Sequence, residues 1–194
     1  MSTSTNTHLL QLEFDAKQVT QVLMFSLTCN NEPSIITTGA YAGTYELNKG
    51  DVVNVEVTAT SLLDPEPSPL DPEGKYMVEH IEIVSLDIVS IPNVNSLTPE
   101  ALSPFARFSA TQIYGGEKFT EVTVVVDPVE REKKYQSHIQ EPLLVEAAAG
   151  FWQLSAYLSV IVHATDTTNS DGGIQKFPRV FTFDPEVTGG RTPG

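Results

Sequence analysis

Cys29 is the one cysteine in 194 residues, so no disulfide can form within the chain and no framework of bridges holds it together. Basic residues are scarce as well. Eleven Lys and Arg stand against 25 Asp and Glu, a formal charge of −14. Neutralising phosphates takes clustered Lys and Arg, so nucleic-acid capture is disfavoured, and attachment to anionic lipid with it. Charged residues make up only 19% and apolar residues 40%, which argues against a disordered acidic chain. No apolar run reaches the roughly 20 residues that span a bilayer; Leu154–Val162 is broken by Ser and Tyr. The stretch Met1–His8 has no basic cluster followed by an apolar run, so a secretory signal is not expected. The expectation is a cytoplasmic protein, or one that leaves by a signal-less route. A lone cysteine fits a reducing compartment.

Catalytic signatures are missing too. No G-x-S-x-G, G-x-x-x-x-G-K-[ST] or G-x-G-x-x-G occurs. The four histidines, His8, His80, His138 and His163, show no zinc spacing with each other or with Cys29. They read as ordinary surface or core-satisfying histidines, and Cys29 as a buried structural thiol. No catalytic, cofactor or metal residue is assigned, and the chain is expected not to be an enzyme.

What the chain does have is period-2 alternation, with almost no helical periodicity. Leu10, Leu12 and Phe14 alternate with Gln11 and Glu13; Val53, Val55 and Val57 with Asn54 and Glu56; Val122, Val124 and Val126 with Glu121 and Thr123. Trp152, Leu154, Ala156, Leu158, Val160 and Val162 form one apolar face of a long strand. Between Met77 and Ile91 the phase slips by one: Ile81 and Ile83 lie on one parity, Val84, Leu86 and Ile88 on the other. Such a slip signals a β-bulge or a strand changing sheets. Lys49-Gly50-Asp51 reads as the turn into a strand starting at Val52. Gly115-Gly116 reads as a hairpin turn, and so does Asn169–Gly173. Two Pro-rich stretches, Leu63–Gly74 and Ile91–Pro104, read as long loops. Val129–Leu143 is ambiguous, and Glu130–Lys134 fits a short helical turn. Roughly eight strands in one domain over residues 1–194, with flexible tails at 1–7 and 188–194, describe an all-β, antiparallel β-sandwich of jelly-roll or Ig-like type.

Two acidic stretches invite a test for calcium, which takes several oxygen ligands. Asp166–Gly172 fails the EF-hand spacing, because Thr167 would be the first ligand and Pro178 falls where the bidentate Glu belongs. It reads as a hairpin turn. Asp64, Glu66, Asp71 and Glu73 lie in a duplicated Leu-Asp-Pro-Glu, read as a stiff, solvated excursion. Tyr41, Tyr45, Tyr114, Trp152 and Tyr157 are the candidates for a sugar-stacking platform, although a lone Trp at a strand start is ordinarily core.

The C-terminal third has a long strand, Phe151–Val160, a polar hairpin, and then Arg179-Val-Phe-Thr-Phe-Asp-Pro-Glu-Val187. Phe181, Phe183, Asp184 and Pro185 form an aromatic-x-aromatic-Asp-Pro ending. Earlier, Tyr45–Val53 carries Gly-Asp-Val-Val ahead of a Ser/Thr-rich strand and a long excursion. This order resembles the bacterial inclusion body protein family typified by PixA and AidA. The resemblance implies a small β-sandwich without a known active site, accumulated as intracellular inclusions or made under cell-density control during interaction with a host. No catalytic residue carries over. The expected partner is then the protein itself, as a homo-oligomer joined through edge strands, with Phe177–Phe183 or the N-terminal strand as candidate edges. Self-association is expected to rise on mild acidification, as charge repulsion falls. The alternative is a lectin-like module binding a glycan or host protein, with or without calcium. A hydrolase built on Glu79/Glu82 or Glu117/Glu121 is the weakest reading, since acidic pairs are commonplace.

Overall fold

Runs of branched apolar residues at alternate positions set the strands, and Gly, Pro and Asp set their ends. The computed structural model describes residues 5–33, 45–92, 101–106, 108–146, 150–169, 173–183 and 186–189. Within them the fold is all-β in two sheets. The first sheet contains β1 (Thr7–Asp15), β2 (Met24–Cys29), β3 (Glu32–Pro33), β5 (Val52–Leu62), β8 (Thr123–Asp127), β9 (Glu132–His138) and β10 (Leu143–Leu144). Its order is β3-β2-β1-β5-β9-β8, with β10 also on β5. The second contains β4 (Tyr45–Leu47), β6 (Tyr76–Pro92), β7 (Thr111–Gly115), β11 (Gly150–Asp166), β12 (Ile174–Phe183) and β13 (Glu186–Gly189). Its order is β4-β13-β11-β6-β7, with β12 also on β11.

One core joins the sheets. Leu12, Phe14, Val55 and Val57 face Leu86, Leu158, Val160 and Phe181, all 2% exposed or less. The Phe14 and Phe181 rings stack with centroids 4.4 Å apart. Every apolar residue of the face read on β11, from Trp152 to Val162, is buried. Burying a side chain of this kind is worth about 2 kcal/mol, so the alternation decides which face turns inward.

Not all pairings are antiparallel. β1 runs parallel to β5, and β4 parallel to β13. Parallel neighbours need a long crossover, and the chain between β1 and β5 supplies one, placing β4 in the other sheet on the way. That parallel pairing also puts β1 between β2 and β5, so the N-terminal strand is interior rather than an edge. β1 starts at Thr7 and β13 reaches Gly189, so strand structure extends into both stretches expected as tails.

The slip in β6 is a bulge, as its parity indicates. The register against β11 shifts at Val84, and again at Glu79. Asn169–Gly173 joins β11 to β12 in the expected hairpin. Gly115-Gly116 does not make one. β7 belongs to the second sheet and β8 to the first, and a 3-10 turn over Gly116–Lys118 carries the chain between them. A Cβ at Gly116 would lie 2.1 Å from the carbonyl oxygen of Ile83, so this crossing requires glycine. Glu130–Lys134 is no helical turn either. The Asp127 carboxylate accepts the N–H groups of Val129 and Glu130, Arg131 adopts φ +56°, and β9 starts at Glu132. Turn chemistry at Asp127 outweighs the helical propensity of the charged run. The strands also outnumber the eight expected, because short pieces such as β3 and β10 carry too few residues to show a period.

Candidate functional site

A cleft beside β12 and the free edge of β8 both combine exposure with unused binding capacity.

The cleft begins with Asp71. This side chain is 4% exposed, so burial would raise its pKa. The N–H groups of Tyr76 and Lys75 and the Lys17 ammonium, 3.1 Å away, outweigh that and hold the carboxyl below its ordinary value. The second Leu-Asp-Pro-Glu copy is therefore pinned to the fold instead of standing in solvent as a stiff excursion. Gly74, at φ +62°, closes the turn where a Cβ would meet the Pro67 nitrogen at 2.7 Å.

Between this loop, the end of β1 and β12 opens a cleft of ≈ 220 Å³. Leu70, Tyr76, Val162 and Phe177 give it apolar walls, and Lys17, Asp71 and Arg179 its charges. The Tyr76 and Phe177 rings meet edge to face, centroids 5.4 Å apart. Arg179 lies 5.2 Å over the Phe181 ring and donates to the Gln18 carbonyl. Burial lowers the guanidinium pKa, and Asp15 pulls it partly back up. Among the described residues no carboxylate comes within 4.0 Å of the guanidinium.

β8 pairs with β9 on one side and with no strand on the other among the described residues. Val124, Val125 and Val126 are 48%, 49% and 52% exposed. Both parities of this strand are open, so it overhangs the core. The second sheet also ends on a five-residue strand, β7, whose Ile113 is 70% exposed, while the remaining edges are blunted. β3 is two residues long and ends in Pro33, β4 is three residues long, and β12 carries Lys176 and Pro178. Short strands, Lys and Pro are ordinary protections of an edge.

The residues singled out from the sequence do not gather. Trp152 is 1% exposed and its indole N–H donates to the Ala101 carbonyl, so it is core. Tyr114 faces inward opposite Leu86, while Tyr157 faces outward opposite Asp87, so the two share no platform. Tyr41 lies outside the described residues, as do Ser170–Gly172 and Asp184-Pro185. Asp166 accepts the N–H and hydroxyl of Thr168, which is turn chemistry. Asp64 pairs with Arg131 and Glu73 with Lys75. No three His, Cys, Asp or Glu side chains among the described residues are grouped to hold a metal ion.

Glu79, Glu82, Glu117 and Glu121 are all exposed, and Glu82 is bonded to His163 at 3.0 Å. His80 stacks edge to face on His163, and His138 pairs with Glu56. Cys29 is half-buried rather than buried. His8 is the exception among the histidines: it is 3% exposed and shares the buried Asp51 carboxylate with the N–H groups of Asn6 and Asn48. No sequence signal marked Arg179 or Lys17, because their meeting depends on the loop that Asp71 folds back.

No family model matches the sequence, and none of the curated proteins does. Among solved structures a similarity runs nearly the length of the chain. The chain is similar to a PixA inclusion body protein. That protein, from Burkholderia cenocepacia J2315, is 10% identical, with 98% of this chain and 98% of that chain covered and a TM-score of 0.32.

Proposed function

We propose that this is a non-catalytic, self-associating protein of the inclusion-body type, held inside the cell, whose copies join through the free edge of β8. The observation that carries the reading is Val124–Val126, three consecutive exposed valines on a strand with an unpaired row of backbone donors and acceptors. Such an edge is a template for another strand. A second copy fits it by two-fold symmetry, with β8 antiparallel to its mate about Val125. Val124 then faces Val126 of the partner, and Thr123 faces Asp127, so no like charges oppose each other. Covering six half-exposed valines contributes roughly 1 kcal/mol each, against the repulsion of two chains of −14.

Light scattering after size-exclusion chromatography tests this. The mass of the wild-type protein is expected to rise with concentration, and Val125→Lys to remain monomeric with an unchanged circular dichroism spectrum. If Val125→Lys assembles as the wild type does, β8 is not the interface; if the wild type stays monomeric at millimolar concentration, self-association itself is wrong.

A further inference from the structure

We propose that the cleft between the Asp71 loop and β12 binds a small monocarboxylate with a compact apolar body, the carboxylate on Arg179 and the body against Phe177, Tyr76 and Val162. Charge accounting selects the anchor. Asp71 takes donors on both oxygens: Lys75 N–H on Oδ1, and Tyr76 N–H and Lys17 Nζ on Oδ2. Its charge is already matched by the Lys17 ammonium, so it does not call for a second cation. Lys17 is occupied in turn by Asp71 and by the Glu66 carbonyl.

Arg179 is different. A guanidinium has five N–H donors, and the Gln18 carbonyl takes from one of them. Its charge is half-buried beside an aromatic ring and is not paired to any described carboxylate. Carboxylates match that fork with two parallel hydrogen bonds. The ligand is a monoanion because, among the described residues lining the cleft, Arg179 is the cation without a carboxylate within 4.0 Å, Asp15 acting on it only from farther off, and the chain carries −14, which opposes a dianion such as phosphate. Its body is apolar because the walls are. The cleft's ≈ 220 Å³ lies below the range for drug-sized ligands, so one ring or a short alkyl chain suits it.

Titration calorimetry with phenylacetate, hexanoate, phenylacetamide and inorganic phosphate is the test, with the same titrations followed by NMR. Phenylacetate or hexanoate is expected to bind at least tenfold more tightly than phenylacetamide and than phosphate, and to shift resonances of Phe177 and Tyr76. Arg179→Gln is expected to bring acid and amide to equal, weak affinity with the spectrum of the fold unchanged. Equal binding of acid and amide to the wild type overturns the proposal whether or not the variant folds. So does tighter binding of phosphate, shifts confined to other residues, or no binding of either carboxylate.

Discussion

Asp51 shows how much of this fold rests on single buried polar groups. Its side chain is fully buried in the turn that feeds β5. Burial would raise its pKa, but the N–H groups of Asn6 and Asn48 and the His8 ring more than offset that, and the carboxyl stays below its ordinary value. The same carboxylate ties the start of β1 to the start of β5, the parallel pair at the centre of the first sheet. Asp51→Ala strands two backbone donors and the His8 nitrogen together. At roughly 1 kcal/mol for each, it is expected to cost about 3 kcal/mol in urea denaturation. A cost below about 1 kcal/mol would mean that water replaces the carboxylate and that the network is not structural. Gly-Asp-Val-Val was legible as a strand opening, but the buried hydrogen bond between its Asp51 and His8 was not. Nothing local tells that His8, 43 residues away, comes back to meet Asp51.

Individual strands were legible wherever one parity was apolar, as in β1, β5 and β11, because burial of one face fixes the register. The bulge in β6 was legible for the same reason, since a parity slip is the same signal broken once. Partners were not. The turn at Gly115-Gly116 has hairpin composition, and only the sheet assignment of β7 and β8 shows that the chain changes layers there. The Asp71 cleft stayed hidden because it draws on β1, β6, β11, β12 and a loop. The crossing itself can be tested. Gly116→Ala places a methyl 2.1 Å from the Ile83 carbonyl oxygen, against rigid strand backbone. It is expected to destabilise by about 2 kcal/mol or more. Gly173→Ala, in the β11–β12 hairpin with no atom within 4 Å of the new methyl, is expected to be within 0.5 kcal/mol of wild type. Equal midpoints for the two variants would show that the 116–118 turn shifts freely and does not fix the sheets.

For the whole molecule, charge couples assembly to folding through pH. The sequence pI is about 4.5, so repulsion between copies falls as pH is lowered from 7 towards it. The fold meets its own limit lower down. Asp51 and Asp71 have folded pKa values below those of the unfolded chain. Their contribution is therefore fully present above the unfolded carboxylate value, near 4, and is lost as pH falls through their folded values. Two events should separate on titration. Between pH 7 and about 5, scattering is expected to rise reversibly while the near-ultraviolet dichroism of the buried Trp152 holds steady. Below about pH 4 that signal is expected to collapse. In Val125→Lys the first event should vanish and the second remain, because β8 takes no part in either aspartate's hydrogen bonds. If scattering rises only where the tryptophan signal is lost, the associating species is the unfolded chain, and an edge displayed by the native fold is not what joins the copies.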